Sequence, residues 1–174
     1  AVYPLYKAFG LQRMIVASYQ STSGAGAKGM WELLEQSKAY FERWDPEGDA
    51  QAQARGLKNE AFAHPIPFNV IPCIDAVQDN DYTKEEMKMV WETRKILGDD
   101  AIRVNPTAVR IPVFYGHSEA VHIETRDKIT AEKACELLAN APGVTLLDGV
   151  KTGAYPTAVT EASAPFRACW TSKR

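Results

Sequence analysis

The spacing of apolar and polar positions changes several times along the chain, and each change marks an element. Residues 1 to 9 have the amphipathic spacing of the end of a helix, stopped by Gly10. Arg13-Met14-Ile15-Val16-Ala17-Ser18-Tyr19 has the length and composition of a buried strand and runs into Gln20-Ser21-Thr22-Ser23-Gly24-Ala25-Gly26, a small polar stretch. From about Ala27, the residues Met30, Leu33, Leu34, Ser37, Tyr40, Phe41 and Trp44 recur at the 3.6-residue period of one helix face, until Asp45-Pro46-Glu47-Gly48 ends the pattern. A long helix packed through that face is predicted.

Residues 49 to 63 are rich in Ala, Gln and charge, and fit either a short helix or an irregular loop. The run His64-Pro65-Ile66-Pro67-Phe68-Asn69-Val70-Ile71-Pro72-Cys73-Ile74 predicts an extended covering loop, because each proline disfavours helical geometry in the residue before it. Thr83 followed by Glu86 reads as a capping box. The helix it opens has Met87, Val90, Trp91, Arg94 and Leu97 as its predicted inner face and is closed by Gly98.

Thr107 to Tyr115 alternates as a strand, with β-branched residues at 109, 111 and 113 and Arg110 on the other side. Gly116-His117-Ser118 turns the chain, Glu119 to Thr125 alternates as a second strand, and Thr130 to Asn140 reads as a helix. Val144 to Leu147 reads as a short strand after a Pro-Gly turn. No internal repeat is visible. The order predicts an α+β architecture, with helices covering a mixed or antiparallel sheet.

Composition narrows the class. With 174 residues, 45% of them hydrophobic, the chain can bury a sizeable core as one soluble domain. Its net charge of -2 provides no general attraction to nucleic acid or acidic membranes, and no stretch approaches the roughly 18 apolar residues of a spanning helix. Cys73, Cys135 and Cys169 are odd in number and show no CxxC spacing, which argues against a disulfide framework or a metal site and for a reducing, cytoplasmic setting. The N-terminus lacks the basic start and apolar core of a signal peptide.

Candidate chemistry is confined to a few positions. Gly24-Ala25-Gly26-Ala27-Lys28-Gly29 is a literal GxGxxG between a strand and a helix, where backbone N–H groups can hold a phosphate. A dinucleotide-binding unit also needs a second parallel strand ending in an acidic residue about 20 positions on, and here that region closes a helix, so a tight helix-entry turn is the better reading. Gln20 ends a buried strand, either as a structural amide bonded to loop backbone or as a group pointing into a site. Glu85 and Lys88, three apart on what reads as the outer side of a helix, fit a solvated ion pair. Arg110, a permanently charged fork in a β-branched strand, must face water, a carboxylate or a ligand. His117, at the end of the same strand, is either a surface histidine or a general acid/base. His64 and His122 have no partner that suggests more than a structural role, and no cysteine has the context of a nucleophile.

Taken together, Ser18-Tyr19-Gln20-Ser21-Thr22-Ser23-Gly24-Ala25-Gly26, Tyr82-Thr83-Lys84-Glu85-Glu86-Met87-Lys88, Val109-Arg110-Ile111-Pro112-Val113 and Gly116-His117-Ser118-Glu119-Ala120-Val121, in this order, resemble aspartate-semialdehyde dehydrogenase. The resemblance extends through Tyr155-Pro156-Thr157 and Thr160-Glu161-Ala162-Ser163. It implies a catalytic and dimerisation domain over residues 1–163, built like the C-terminal domain of glyceraldehyde-3-phosphate dehydrogenase-like enzymes, with 164–174 as a non-matching tail. That family reduces aspartyl phosphate to the semialdehyde with NADPH through a cysteine thioester, in the synthesis of lysine, threonine and methionine.

By the same resemblance His117 is the acid/base, Gln20 orients the substrate, and Arg110 holds its carboxylate. Glu85 meets its amino group or supports the arginine, Lys88 favours the phosphate, and Ser23 and Gly24 touch NADP. The family's nucleophile, in an Asn-Cys pair, and its nucleotide-binding domain both precede the segment matching Ala1. The isolated chain is therefore expected to bind no NADP and to be inactive, as a truncated piece that pairs as a homodimer through its sheet and could work with a separate nucleotide-binding domain. The alternative is a stand-alone module that self-associates or binds small anions.

Overall fold

A computed structural model describes residues 1–147, 153, 155–158 and 167–168. The expected boundary at 163, the Thr160–Ser163 motif and Cys169 lie outside the described residues. The elements are α1 (Val2–Phe9), β1 (Leu11–Gln20), a 3-10 turn (Thr22–Ala25), α2 (Gly26–Glu42), α3 (Ala50–Arg55), α4 (Lys84–Leu97), β2 (Arg103–Arg110), β3 (His117–Thr125), α5 (Ala131–Ala139), β4 (Thr145–Leu146) and β5 (Arg167–Ala168). Three strands form a sheet in the order β2-β1-β3, and β4 pairs parallel with β5. Backbone bonds from Arg126 N–H to the Gly10 carbonyl and from Asp127 N–H to the Phe9 carbonyl at one end, with Ser21 N–H on the His117 side chain at the other, place β3 antiparallel to β1. Bonds from Ile111 N–H to Gln20 and from Thr22 N–H to Val113 advance in the same sense along both chains, so the sheet is mixed.

The chain divides into two compact units, residues 1–16, 87–106 and 120–174 in one, and residues 17–86 and 107–119 in the other. The first packs Leu11, Met14, Val16 and Ile102 into one cluster and Leu5, Ala134 and Leu138 into another. α1 stops where expected, at Gly10, whose φ of 63° is costly for a side-chain-bearing residue. Thr130 caps α5 by accepting from the Lys133 N–H at 3.3 Å.

The second unit centres on Leu33, Ile66 and Ile71, with Phe62 against them. Ile66 is fully buried, and burial of such a side chain contributes about 1.5–3 kcal/mol. The ambiguous region 49–63 resolves as α3, capped by the Asp49 carboxylate, followed by a loop held on α2. That holding group is Glu32, which accepts from the backbone N–H groups of Glu60, Ala61 and Phe62. Gln36 beside it accepts from the Ile66 N–H at 2.9 Å and donates to the Lys58 carbonyl at 2.7 Å. The buried face of α2 is therefore Gly29, Glu32, Leu33, Gln36 and Tyr40, whereas Phe41 is 64% exposed and Trp44 44%. Polar side chains went inward because loop backbone satisfies them, which hydropathy spacing does not register.

Three further expectations are corrected. On α4 the expected Val90 is buried, but Trp91, read as part of the same inner face, is half-exposed. The proline run is not extended throughout: Phe68, which is followed by Asn69 and not by a proline, lies in a tight turn after Pro67 and has φ 57°. β2 begins earlier than expected, at Arg103, and ends at Arg110.

Candidate active site

Alternate residues of β1 point to one side, and near its C-terminal end these are Ser18 and Gln20, 1% and 4% exposed. Two polar side chains in succession on a buried strand face need partners, and they have them. The Gln20 Nε2 donates to the Glu85 carboxylate at 3.2 Å and to the Ser18 hydroxyl at 3.4 Å. Ser18 in turn donates to Glu119 Oε1 at 3.1 Å. Glu85 is placed by the capping box that starts α4, in which Glu86 accepts from the Thr83 N–H at 2.8 Å and the Thr83 hydroxyl accepts from the Glu86 N–H at 3.2 Å. The expected solvated position of Glu85 is thus corrected: the first turn of α4 directs it to Gln20.

Arg110 ends β2 on its buried side, since Pro106, Ala108 and Arg110 all face inward, and only 7% of the arginine is exposed. Its backbone exchanges both hydrogen bonds with Ile71 of the proline-rich loop, at 2.9 and 3.0 Å. Its Nη1 donates to the Ser21 carbonyl at 2.6 Å. Burial pushes the guanidinium down from its ordinary value, while the negative charge of Glu85 opposes that shift. The same Ser21 donates its N–H to Nδ1 of His117 at 3.3 Å, which puts the proton of the neutral ring on Nε2. One residue, Ser21, fully buried, therefore sets both the arginine fork and the histidine ring.

The glycine-rich turn is a tight helix entry, a 3-10 turn leading straight into α2. A Cβ on Gly24 would lie 2.7 Å from Arg110 Nη1, so a hydrogen is all that fits there. A Cβ on Gly29 would lie 2.7 Å from the Thr22 carbonyl oxygen and 3.0 Å from Phe62. The Ser23 and Gly24 N–H groups already donate to Phe114 and Ser21, and the Ser23 hydroxyl pairs with that of Ser21 at 2.9 Å. These amides do not form a phosphate cradle; the turn presents an exposed edge at Gly24.

The structure thus brings Gln20, Glu85, Arg110, His117, Ser23 and Gly24 together in one unit. Lys88 follows Glu85 on α4, three residues on, in the stretch assigned to the other unit. His117 opens β3 and is exposed, whereas Cys73 lies exposed in the loop and Cys135 sits in α5. Ser18, Ser21 and Glu119 were missed by reading the sequence residue by residue; the period-2 polar pair Ser18 and Gln20 in a buried strand was the available signal.

The family profile "Semialdehyde dehydrogenase, dimerisation domain" matches residues 2–167. The chain belongs to this family. Among curated members it is 50% identical over 162 residues to the aspartate-semialdehyde dehydrogenase of Legionella pneumophila and 49% identical over 165 residues to that of Shewanella violacea. Those alignments cover 93% and 94% of this semialdehyde dehydrogenase domain but 44% of each relative, so the chain spans less than half the length of the curated relatives it matches. The crystal structure of Vibrio cholerae aspartate semialdehyde dehydrogenase II complexed with ASA superposes with a TM-score of 0.82 at 45% identity, over 93% of this chain and 44% of that one. The Francisella tularensis enzyme gives 0.84 at 26% identity, over 94% and 49%. The α+β fold with a mixed sheet is thereby the fold of these enzymes. Among the described residues, no helix is long and apolar enough to cross a membrane.

Proposed function

We propose that this chain is the acid/base and substrate-holding part of an aspartate-semialdehyde dehydrogenase, acting with a nucleotide-binding domain that supplies the thiol and NADPH. The single observation behind the reading is the cluster in which buried Ser21 joins buried Arg110 to the exposed His117 while Glu85 is tied to Gln20. Arg110, held by a carbonyl and by backbone pairing, has a planar fork suited to a bidentate bond with a substrate carboxylate. Glu85 provides a negative charge for the substrate ammonium, and Lys88 a positive one for the leaving phosphate. Gln20 orients the substrate. His117 exchanges protons with the thiol and the acyl intermediate through an imidazole that Ser21 orients. NADPH, when bound, supplies the hydride; Ser23 and Gly24 offer it an edge to lie against, not a phosphate site.

A homodimer through the sheet belongs to the same reading. On β1 the outward set Arg13, Ile15, Ala17 and Tyr19 includes two large residues about two-fifths exposed, and β3 is mostly uncovered. Light scattering on the chain should return twice its mass, and a strict monomer at high concentration would remove this part.

The activity is tested in a chimera, with residues 2–163 of this chain replacing the matched segment of the Legionella pneumophila enzyme. Phosphate-dependent NADPH formation from the semialdehyde is expected, with Arg110→Lys raising KM for the semialdehyde at least tenfold and His117→Asn lowering kcat by about 100-fold or more. A chimera that folds and binds NADPH but does not turn over, or turnover indifferent to both substitutions, would refute the reading. The 174-residue chain alone is expected to show no turnover.

A further inference from the structure

We infer that Ser18 and Glu119 are positioning residues that fix the polarity of the Gln20 amide, so that Gln20 meets its ligand as a hydrogen-bond acceptor and not as a donor. This rests on the functional reading above and deepens it. The count of donors around Gln20 fixes the orientation of its amide. An ionised carboxylate only accepts, so the Gln20 atom 3.2 Å from Glu85 must be the NH2 nitrogen. A hydroxyl has one hydrogen, and Ser18 gives its own to Glu119 at 3.1 Å. What Ser18 turns toward Gln20 is therefore a lone pair, which takes the second amide hydrogen at 3.4 Å. With Ser18 1% and Gln20 4% exposed, neither group has water to rotate into.

Both amide hydrogens are thus committed, one to Glu85 and one to the Ser18–Glu119 pair. The opposite amide orientation would set two oxygens against each other at Glu85. Gln20 Oε1 is what remains for a bound molecule, and it takes an N–H or O–H: the ammonium of an amino-acid substrate or the hydroxyl of a reduced intermediate. An amide held in this way cannot stabilise a developing oxyanion, because it has no hydrogen to give. That assignment separates Gln20 from the groups that neutralise negative charge, Arg110 and Lys88, and places it with Glu85 on the substrate's positive side.

The test has one arm independent of catalysis. In the 15N-labelled 174-residue chain, the Gln20 side-chain NH2 should exchange with solvent at least tenfold more slowly than an exposed glutamine. Ser18→Ala and Glu119→Leu should remove that protection, and Ser18→Thr and Glu119→Gln, which keep a hydroxyl and an acceptor oxygen, should restore it. In the chimera, Ser18→Ala should lower kcat about five- to tenfold, the effect of one lost hydrogen bond, leave KM for phosphate unchanged, and be rescued by Ser18→Thr. Unprotected Gln20 hydrogens in the parent chain, equal defects in the Ala and Thr variants, or a kcat unmoved by Ser18→Ala would each overturn the inference. A chimera without any turnover would instead count against the functional reading, and the exchange measurement would still decide the polarity of Gln20.

Discussion

Replacing Glu32 by alanine should detach the loop after α3 from α2. The carboxylate is 8% exposed and accepts from three successive backbone N–H groups, those of Glu60, Ala61 and Phe62, and from Gln36. Hydrogen bonds to a charged group contribute about 1.5–3 kcal/mol each when their loss leaves the partner buried. Glu60 is exposed and can recover water, whereas Ala61 and Phe62 are half-buried and recover it only as the loop loosens. Counting those two bonds, and discounting for loosening, the expected loss is about 3 kcal/mol. For a chain of this size that corresponds to a melting temperature lower by about 6–12 °C. Glu32→Gln should cost roughly half as much, since one acceptor oxygen remains but an NH2 now faces backbone donors. Urea unfolding provides the free energies, and hydrogen exchange should show Ala61 and Phe62 losing protection before the β1 amides do. A cost below about 1 kcal/mol for Glu32→Ala, in the range of ordinary surface changes, would refute the reasoning.

Gly29→Ala, which by helix propensity alone would stabilise α2 by about 1 kcal/mol, should instead destabilise by about 1–2 kcal/mol, because the new methyl meets the Thr22 carbonyl at 2.7 Å; thermal melts check the sign. The exposed pair of Lys58 and Glu60 holds the Glu60 carboxyl below the usual carboxylate range, first through its hydrogen bond to the ammonium and then through its charge. With the folded value depressed, the pair's small stabilisation is present above the unfolded carboxylate range and is lost as pH falls through the folded value. An NMR titration of Glu60 in Lys58→Gln should move back toward the ordinary range, and an unmoved titration would show that Lys58 is not the cause.

How much was legible in the sequence depends on the range of the interaction concerned. The capping box at Thr83 and Glu86, the stop at Gly10, the helix starting about Thr130 and the order of helices and strands are local, decided within a few residues by backbone sterics and orphan N–H groups, and the structure reproduces them. The residues carrying the family resemblance were legible for a related reason, since Arg110 inside a β-branched strand and His117 at its end are unusual wherever they occur. What local pattern could not supply was the partner of each polar group. Glu32 and Gln36 lie off the apolar face that spacing picks out on α2, and it is a loop some 30 residues later that lays its backbone across them. Glu85 read as outward until the start of α4 set it beside Gln20, and the glycines read as a tight helix entry without the Arg110 and Phe62 side chains that crowd Gly24 and Gly29. A side chain's periodicity is determined by its own segment, but its burial as a polar group is decided by whoever arrives to satisfy it, and only the tertiary structure brings Ser21 within reach of an arginine 89 residues away and a histidine 96 residues away.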